Sequence, residues 1–183
     1  LIAIQIVFLP ASTVADDVVH AALDAGADLV GGAPHLADDP LTDLHRLLDI
    51  AEARGVGTDM HIDEFLQGDH LTINAYADRV ASWPADRIRT ASHCSRLSTL
   101  SPAELADVTG RLASAHVGVV ALPITNLYLQ GHDGPGRGQR AIAPIGALRA
   151  GGVEVCAGAD NLRDPFNPLG RADPLETAAL SVV

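Results

Sequence analysis

Short apolar runs alternate with longer amphipathic stretches along the whole chain. Residues 1–9, apolar except for Gln5, predict a buried strand. Helical spacing follows over 12–25, where Val14, Val18 and Ala22 recur on one face and Gly26 stops the pattern. Residues 27–33 predict a second strand, closed by Pro34 and His35. The next helix opens near Pro40, since proline suits a first turn, and it aligns Leu44, Leu47, Leu48 and Ala51 before Gly55.

The same alternation continues. Residues 57–62 predict a third strand, 71–80 a helix and 88–92 a fourth strand. Ser101-Pro102-Ala103-Glu104 is a capping box that opens a helix carrying Leu105, Val108 and Leu112. Residues 117–124 predict a fifth strand. A short helix near 144–150 leads through Gly151 and Gly152 to a sixth strand over 153–158, and Asp173-Pro174 opens a last helix running to Val183. Strand and helix in strict alternation imply a parallel sheet with helical crossovers. No Gly-x-Gly-x-x-Gly turn follows residues 1–9, which weakens a dinucleotide-binding sheet, and polar residues at several strand ends favour a (β/α)8 barrel. Eight such units need about 250 residues. The chain has 183, so it is read as one catalytic barrel domain, 1–183, that is partial.

Composition narrows the function. The apolar share is 48% and the charged share 19%, as in a globular protein. Aromatic residues make up 3%, too few for base-stacking platforms, and a net charge of −11 disfavours nucleic acid and anionic membranes as partners. No apolar run reaches the length of a spanning helix. Two cysteines, Cys94 and Cys156, make no disulfide framework, so a reducing cytoplasm is expected. All 12 basic residues are arginine, which rules out a Schiff-base lysine within this segment.

The chemistry gathers at the strand ends. His61, His93 and Asp160 each close a strand pattern, and in a parallel barrel such side chains emerge at one pole. Two imidazoles, a carboxylate and nearby Glu64 suit a metal ion and an activated water. Glu64, three residues after His61, is placed to shuttle protons without being a ligand. Asp63 points the other way in the strand alternation and is read as structural. His35 either lines the pocket or holds a loop, while Asn126 and Gln130 follow the fifth strand. His20, His45 and His116 belong to helices, and His70 and His132 to loops. The glycine-rich segment 130–140 lacks a phosphate-loop ending and is either a mobile loop or a lid.

The segments Val-Gly-Gly-Ala-Pro-His (30–35), His-Ile-Asp-Glu (61–64), Ala-Ser-His (91–93), Asn-Leu-Tyr-Leu-Gln-Gly (126–131), Gly-Ala-Asp-Asn (158–161) and Asp-Pro-Phe-Asn-Pro-Leu-Gly (164–170) occur in one order across nearly the whole chain. They resemble the cytosine deaminase branch of the metal-dependent amidohydrolase superfamily. The resemblance implies a TIM barrel in which this chain covers strands 3 to 8, strands 1 and 2 being absent. It implies one divalent ion, zinc or iron, with His61 and Asp160 as ligands; the family's His-x-His pair has no match. It assigns proton transfer to Glu64, orientation of the reacting water to His93 and proton acceptance to Asp160. Asn126 and Gln130 line or brace the pocket, and with His35, Asn161 and Phe166 they form the expected substrate-facing set. Three positions depart from the family: Ala11 stands where the cytosine-binding glutamine is expected, Asn161 replaces an aspartate, and Phe166 is the nearest match to a tryptophan.

The activity so implied is hydrolytic removal of ammonia or an amine from a cyclic amidine, a cytosine-like pyrimidine or a triazine. Two other readings stand beside it. One is hydrolysis of a cyclic amide. The other is a non-catalytic remnant with an incomplete metal site and open sheet edges. The expected partner is a small heterocycle, with homo-oligomerisation left open.

Overall fold

The computed structural model describes residues 4–68, 71–132 and 139–182. Its strands are β1 (Val7–Phe8), β2 (Leu29–Gly32), β3 (Gly57–Ile62), β4 (Arg89–His93), β5 (Gly118–Ala121) and β6 (Val155–Ala157), all parallel and neighbours in chain order. Between and after them run α1 (Asp16–Asp24), α2 (Pro40–Arg54), α3 (Thr72–Val80), α4 (Pro102–Ser114), α5 (Pro123–Leu129), α6 (Ile145–Ala150) and α7 (Pro174–Ser181). This is the strand-helix succession of a β/α barrel, present as a six-stranded arc.

Local chemistry sets most boundaries. Asp39 caps α2 by accepting the Thr42 N–H at 3.1 Å, and Gly55 ends that helix with φ of 67°. Ser101 and Glu104 form the reciprocal capping box of α4. Asp173 caps α7 through the Leu175 N–H at 2.9 Å.

The two faces of the sheet differ. In register, Val30 lies beside Thr58 and Met60 beside Ala91, and these side chains pack outward against the helices. Thr58 Oγ1 sits 2.8 Å from the buried Tyr76 hydroxyl of α3, which confirms that direction. Leu44, Leu47, Leu48, Ile73, Val80, Val108 and Leu112 complete this core. Asp59 and His61 alternate onto the other face, where Ser92 donates to Asp59 at 2.7 Å.

Four expectations need correction. On α1 the buried residues are Val19 and Leu23, while Val18 is 47% exposed. Both stripes have the same i, i+4 spacing, and the one carrying leucine removes more apolar area from water. β1 is confined to Val7–Phe8, with Ile4, Ile6 and Leu9 exposed. β6 is also shorter than expected, three residues in all. The fifth strand ends at Ala121, because Pro123, unable to donate to a ladder, starts α5 instead. Most of the glycine-rich segment (133–138) and His70 lie outside the described residues.

Candidate metal and acid-base site

His61 reaches the inner face by ordinary strand alternation, but His93 does not. Arg89, Ala91 and His93 share the outward parity of β4, and both Arg89 and Ala91 are buried on that side. A left-handed backbone at His93, φ of 68°, turns its ring to the inner face. Asp160 has φ of 61° just beyond β6. A non-glycine residue in that region costs roughly 1 kcal/mol, and such strain recurs at functional sites. Asp63, φ of 49°, turns away from the pocket and accepts the Thr72 and Ile73 N–H groups at 3.0 Å each, capping α3 from outside the helix.

Four ionisable side chains converge. His61 Nδ1 and His93 Nε2 are 2.9 Å apart, with the rings edge to face. Glu64 Oε2 is 3.7 Å from His93 Nε2, and Asp160 Oδ2 is 3.9 Å from the same nitrogen. His35 stands behind Glu64, with Nε2 at 2.9 Å from Oε2 and Nδ1 at 3.2 Å from the His61 carbonyl. Phe65 packs edge-on against the His35 ring. His93 is almost fully buried, and only 13% of Glu64 and 16% of Asp160 side-chain surface is exposed.

This enclosure sets the protonation states. Burial pulls His61 and His93 below the usual histidine range, against the neighbouring carboxylates, so both rings favour the neutral form that can lend a lone pair. Burial pushes Glu64 up, but the His35 hydrogen bond and the nearby imidazoles prevail and hold it below its ordinary value. Asp160 goes the other way, raised by burial against the pull of His61. Two neighbouring carboxylates with opposite shifts are the arrangement that divides acid from base duties.

His61, Glu64 and His93 each offer a donor atom within 4.8 Å of one another, with Asp160 alongside. Neutral imidazoles together with carboxylates suit a divalent first-row ion. The residues present therefore fit a metal. Among the described residues, no other such cluster of three occurs.

The remaining candidates are arranged around this centre. Asn126 is fully buried, with Oδ1 at 2.8 Å from His93 Nδ1 and Nδ2 donating to Ser95 Oγ at 2.6 Å. Gln130 donates to the Glu64 carbonyl at 2.8 Å and accepts the Leu66 N–H at 3.0 Å. Both make bracing contacts with protein atoms. Asn161 donates to Asp164 at 2.6 Å, and Phe166 is 64% exposed. Ser95 and Thr125 carry no local sequence signal; only their contacts across the fold mark them. Cys94 is buried, with its thiol pushed well up, and Cys156 is exposed.

The profile of the amidohydrolase family matches residues 9–183, and the chain belongs to that family. It is 35% identical over 182 residues to a pterin deaminase from Rhizobium rhizogenes, covering 96% of this chain and 41% of that protein. The crystal structure of 5-methylcytosine deaminase from Klebsiella pneumoniae with 5-fluorocytosine has a TM-score of 0.87 at 24% identity, over 97% of this chain and 45% of that one. N-isopropylammelide isopropylaminohydrolase from Burkholderia multivorans gives a TM-score of 0.76 at 30% identity, over 97% and 44%. The chain thus spans less than half the length of each. No described helix is long and apolar enough to cross a membrane.

Proposed function

We propose that this member of the amidohydrolase family hydrolyses the exocyclic carbon–nitrogen bond of a cyclic amidine, taking a pyrimidine, triazine or pterin-like ring to the corresponding ring carbonyl and releasing ammonia or an amine. The observation that carries the proposal is the meeting of His61, Glu64, His93 and Asp160 at the ends of β3, β4 and β6. The similarity to a pterin deaminase and to an isopropylammelide aminohydrolase supports the substrate class.

His61 and Asp160 would hold a zinc or iron ion, which supplies Lewis acidity and lowers the pKa of water towards neutrality. Glu64, held as a carboxylate, takes a proton from the water and gives it to the ring nitrogen, which makes the adjacent carbon electrophilic, and later passes the second proton, received by way of Asp160, to the departing nitrogen. His35, 2.9 Å behind it, keeps that carboxylate aimed at the site. His93 accepts a hydrogen bond from the attacking water through Nε2 and holds it in line. Asp160 takes up the second proton that water loses as its oxygen bonds to carbon. Water supplies the oxygen of the ring carbonyl and two protons, one for the ring nitrogen and one for the departing nitrogen, so Glu64 and Asp160 end each cycle as they began.

The two cysteines, unpaired in a family of small-molecule enzymes, suit a cytoplasmic protein. The test is ammonia or amine release by purified protein supplied with zinc or iron, on cytosine, pterin and N-isopropylammelide. Turnover of one of these is expected. Glu64→Gln should lower it at least 100-fold while the bound ion stays near one per chain. Full activity in that variant would refute the assignment.

A further inference from the structure

α5 is in direct polar contact with the segments bearing three of the reacting groups. Asn126 reaches His93, Gln130 just past the helix end holds Glu64 and Leu66, and Thr125 holds the Asp160 turn. The Thr125 hydroxyl donates to the Ala159 carbonyl at 3.3 Å and accepts the Asn161 N–H at 3.1 Å, so it ties both neighbours of Asp160. Thr125 and Asn126 are fully buried and cannot touch a substrate.

The Asn126 contact has a direction. The Ala141 carbonyl can only accept, so Ser95 Oγ, 3.2 Å away, donates its proton there. That hydroxyl then has only lone pairs for Asn126, whose NH2 group must face it at 2.6 Å. The Asn126 carbonyl oxygen is left facing His93 Nδ1 at 2.8 Å. An oxygen without a hydrogen requires the proton on Nδ1, which leaves the Nε2 lone pair turned towards His61, Glu64 and Asp160.

We propose that α5 is a positioning helix: Asn126, oriented by Ser95, sets the ring direction and tautomer of His93, while Gln130 and Thr125 hold the backbones that aim Glu64 and Asp160. The roles given to those three groups rest on the reaction proposed above; the tautomer does not. Asn126, Gln130 and Thr125 act through other residues and bind no substrate themselves.

The test uses 15N-histidine-labelled protein in zinc-containing buffer, with the His93 signals assigned from a His93→Gln spectrum. His93 is expected to carry its proton on Nδ1. Asn126→Leu and Ser95→Ala should both move it towards Nε2; the second leaves the ring and every residue of α5 unsubstituted and decides the matter if the first does not fold. On whichever heterocycle is turned over, Asn126→Leu, Gln130→Ala and Thr125→Val should each lower kcat at least tenfold, with KM within about twofold. A wild-type ring protonated on Nε2, or a tautomer unmoved in the folded variants, overturns the proposal, as does a loss confined to KM. A protein inactive on every heterocycle removes the proposed reaction and leaves the tautomer measurement to decide this one.

Discussion

His61 Nδ1 and His93 Nε2 stand 2.9 Å apart in a buried recess, and two such rings cannot both be charged at low cost. Burial and mutual repulsion hold the folded-state pKa of His61 down, and burial does so for His93. The unfolded value is about 6.5, so between the folded value and 6.5 the unfolded chain binds more protons. Stability therefore rises with pH across that window and is lost on acidification, by at most about 1.4 kcal/mol per pH unit per ring. In EDTA-treated protein, the urea midpoint should fall between pH 7 and 5.5. The fall should be shallower in His61→Gln and His93→Gln; equal slopes in all three would remove the rings as its cause.

His61 supplies one donor of the convergent set, so His61→Ala should leave no tightly held ion after dialysis against zinc. His20 is on α1, away from the site, and His20→Ala should keep the wild-type zinc content. Elemental analysis per chain compares the three. Retention of zinc by His61→Ala would place the ion elsewhere.

Asp63 is a buried carboxylate whose work is to satisfy the first N–H groups of α3. Asp63→Ala leaves those donors unpaired and should cost about 1–3 kcal/mol, read as a lower urea midpoint at pH 7. Asp63→Asn keeps an acceptor and tolerates the left-handed backbone, so its loss should be smaller. An unchanged midpoint in Asp63→Ala would show that the cap is dispensable.

Two glycines should respond oppositely to alanine. A Cβ on Gly57 would lie 2.5 Å from the Ile88 carbonyl oxygen, backbone that cannot step aside without disturbing the β3–β4 ladder. Gly57→Ala should destabilise by about 1–3 kcal/mol. Gly110 sits exposed within α4 with nothing near, and Gly110→Ala should stabilise by about 1 kcal/mol. Thermal melts of the pair test the contrast; tolerance of Gly57→Ala would mean the ladder is looser than described.

Much of the framework was legible in the sequence. The alternation of strands and helices, the helix starts near Pro40, at Ser101 and at Asp173, and the position of His61 on β3 all follow from patterns contained within one helical turn or one strand. Asp63 is structural, as expected, but not by strand parity, which would put it on the face of Asp59 and His61; its left-handed backbone, φ of 49°, turns it towards α3. α5 was missed because an apolar run before Pro123 reads as a longer strand, and the stripe on α1 because two sets of residues share one spacing.

By itself, then, the sequence determined the order of elements and which residue types stand near the strand ends, since hydrophobic period, capping and turn chemistry depend on neighbours a few positions away. Only the tertiary structure decided how those residues meet. The positive φ at His93 and Asp160 redirects side chains that parity alone would misplace or leave undefined, and it survives because surrounding contacts hold it. Asn126 comes to His93, and Gln130 to Glu64, across 33 and 66 positions, through the register of β3, β4 and β5. No local pattern encodes such a pairing, because its energy exists only once distant strands are laid side by side.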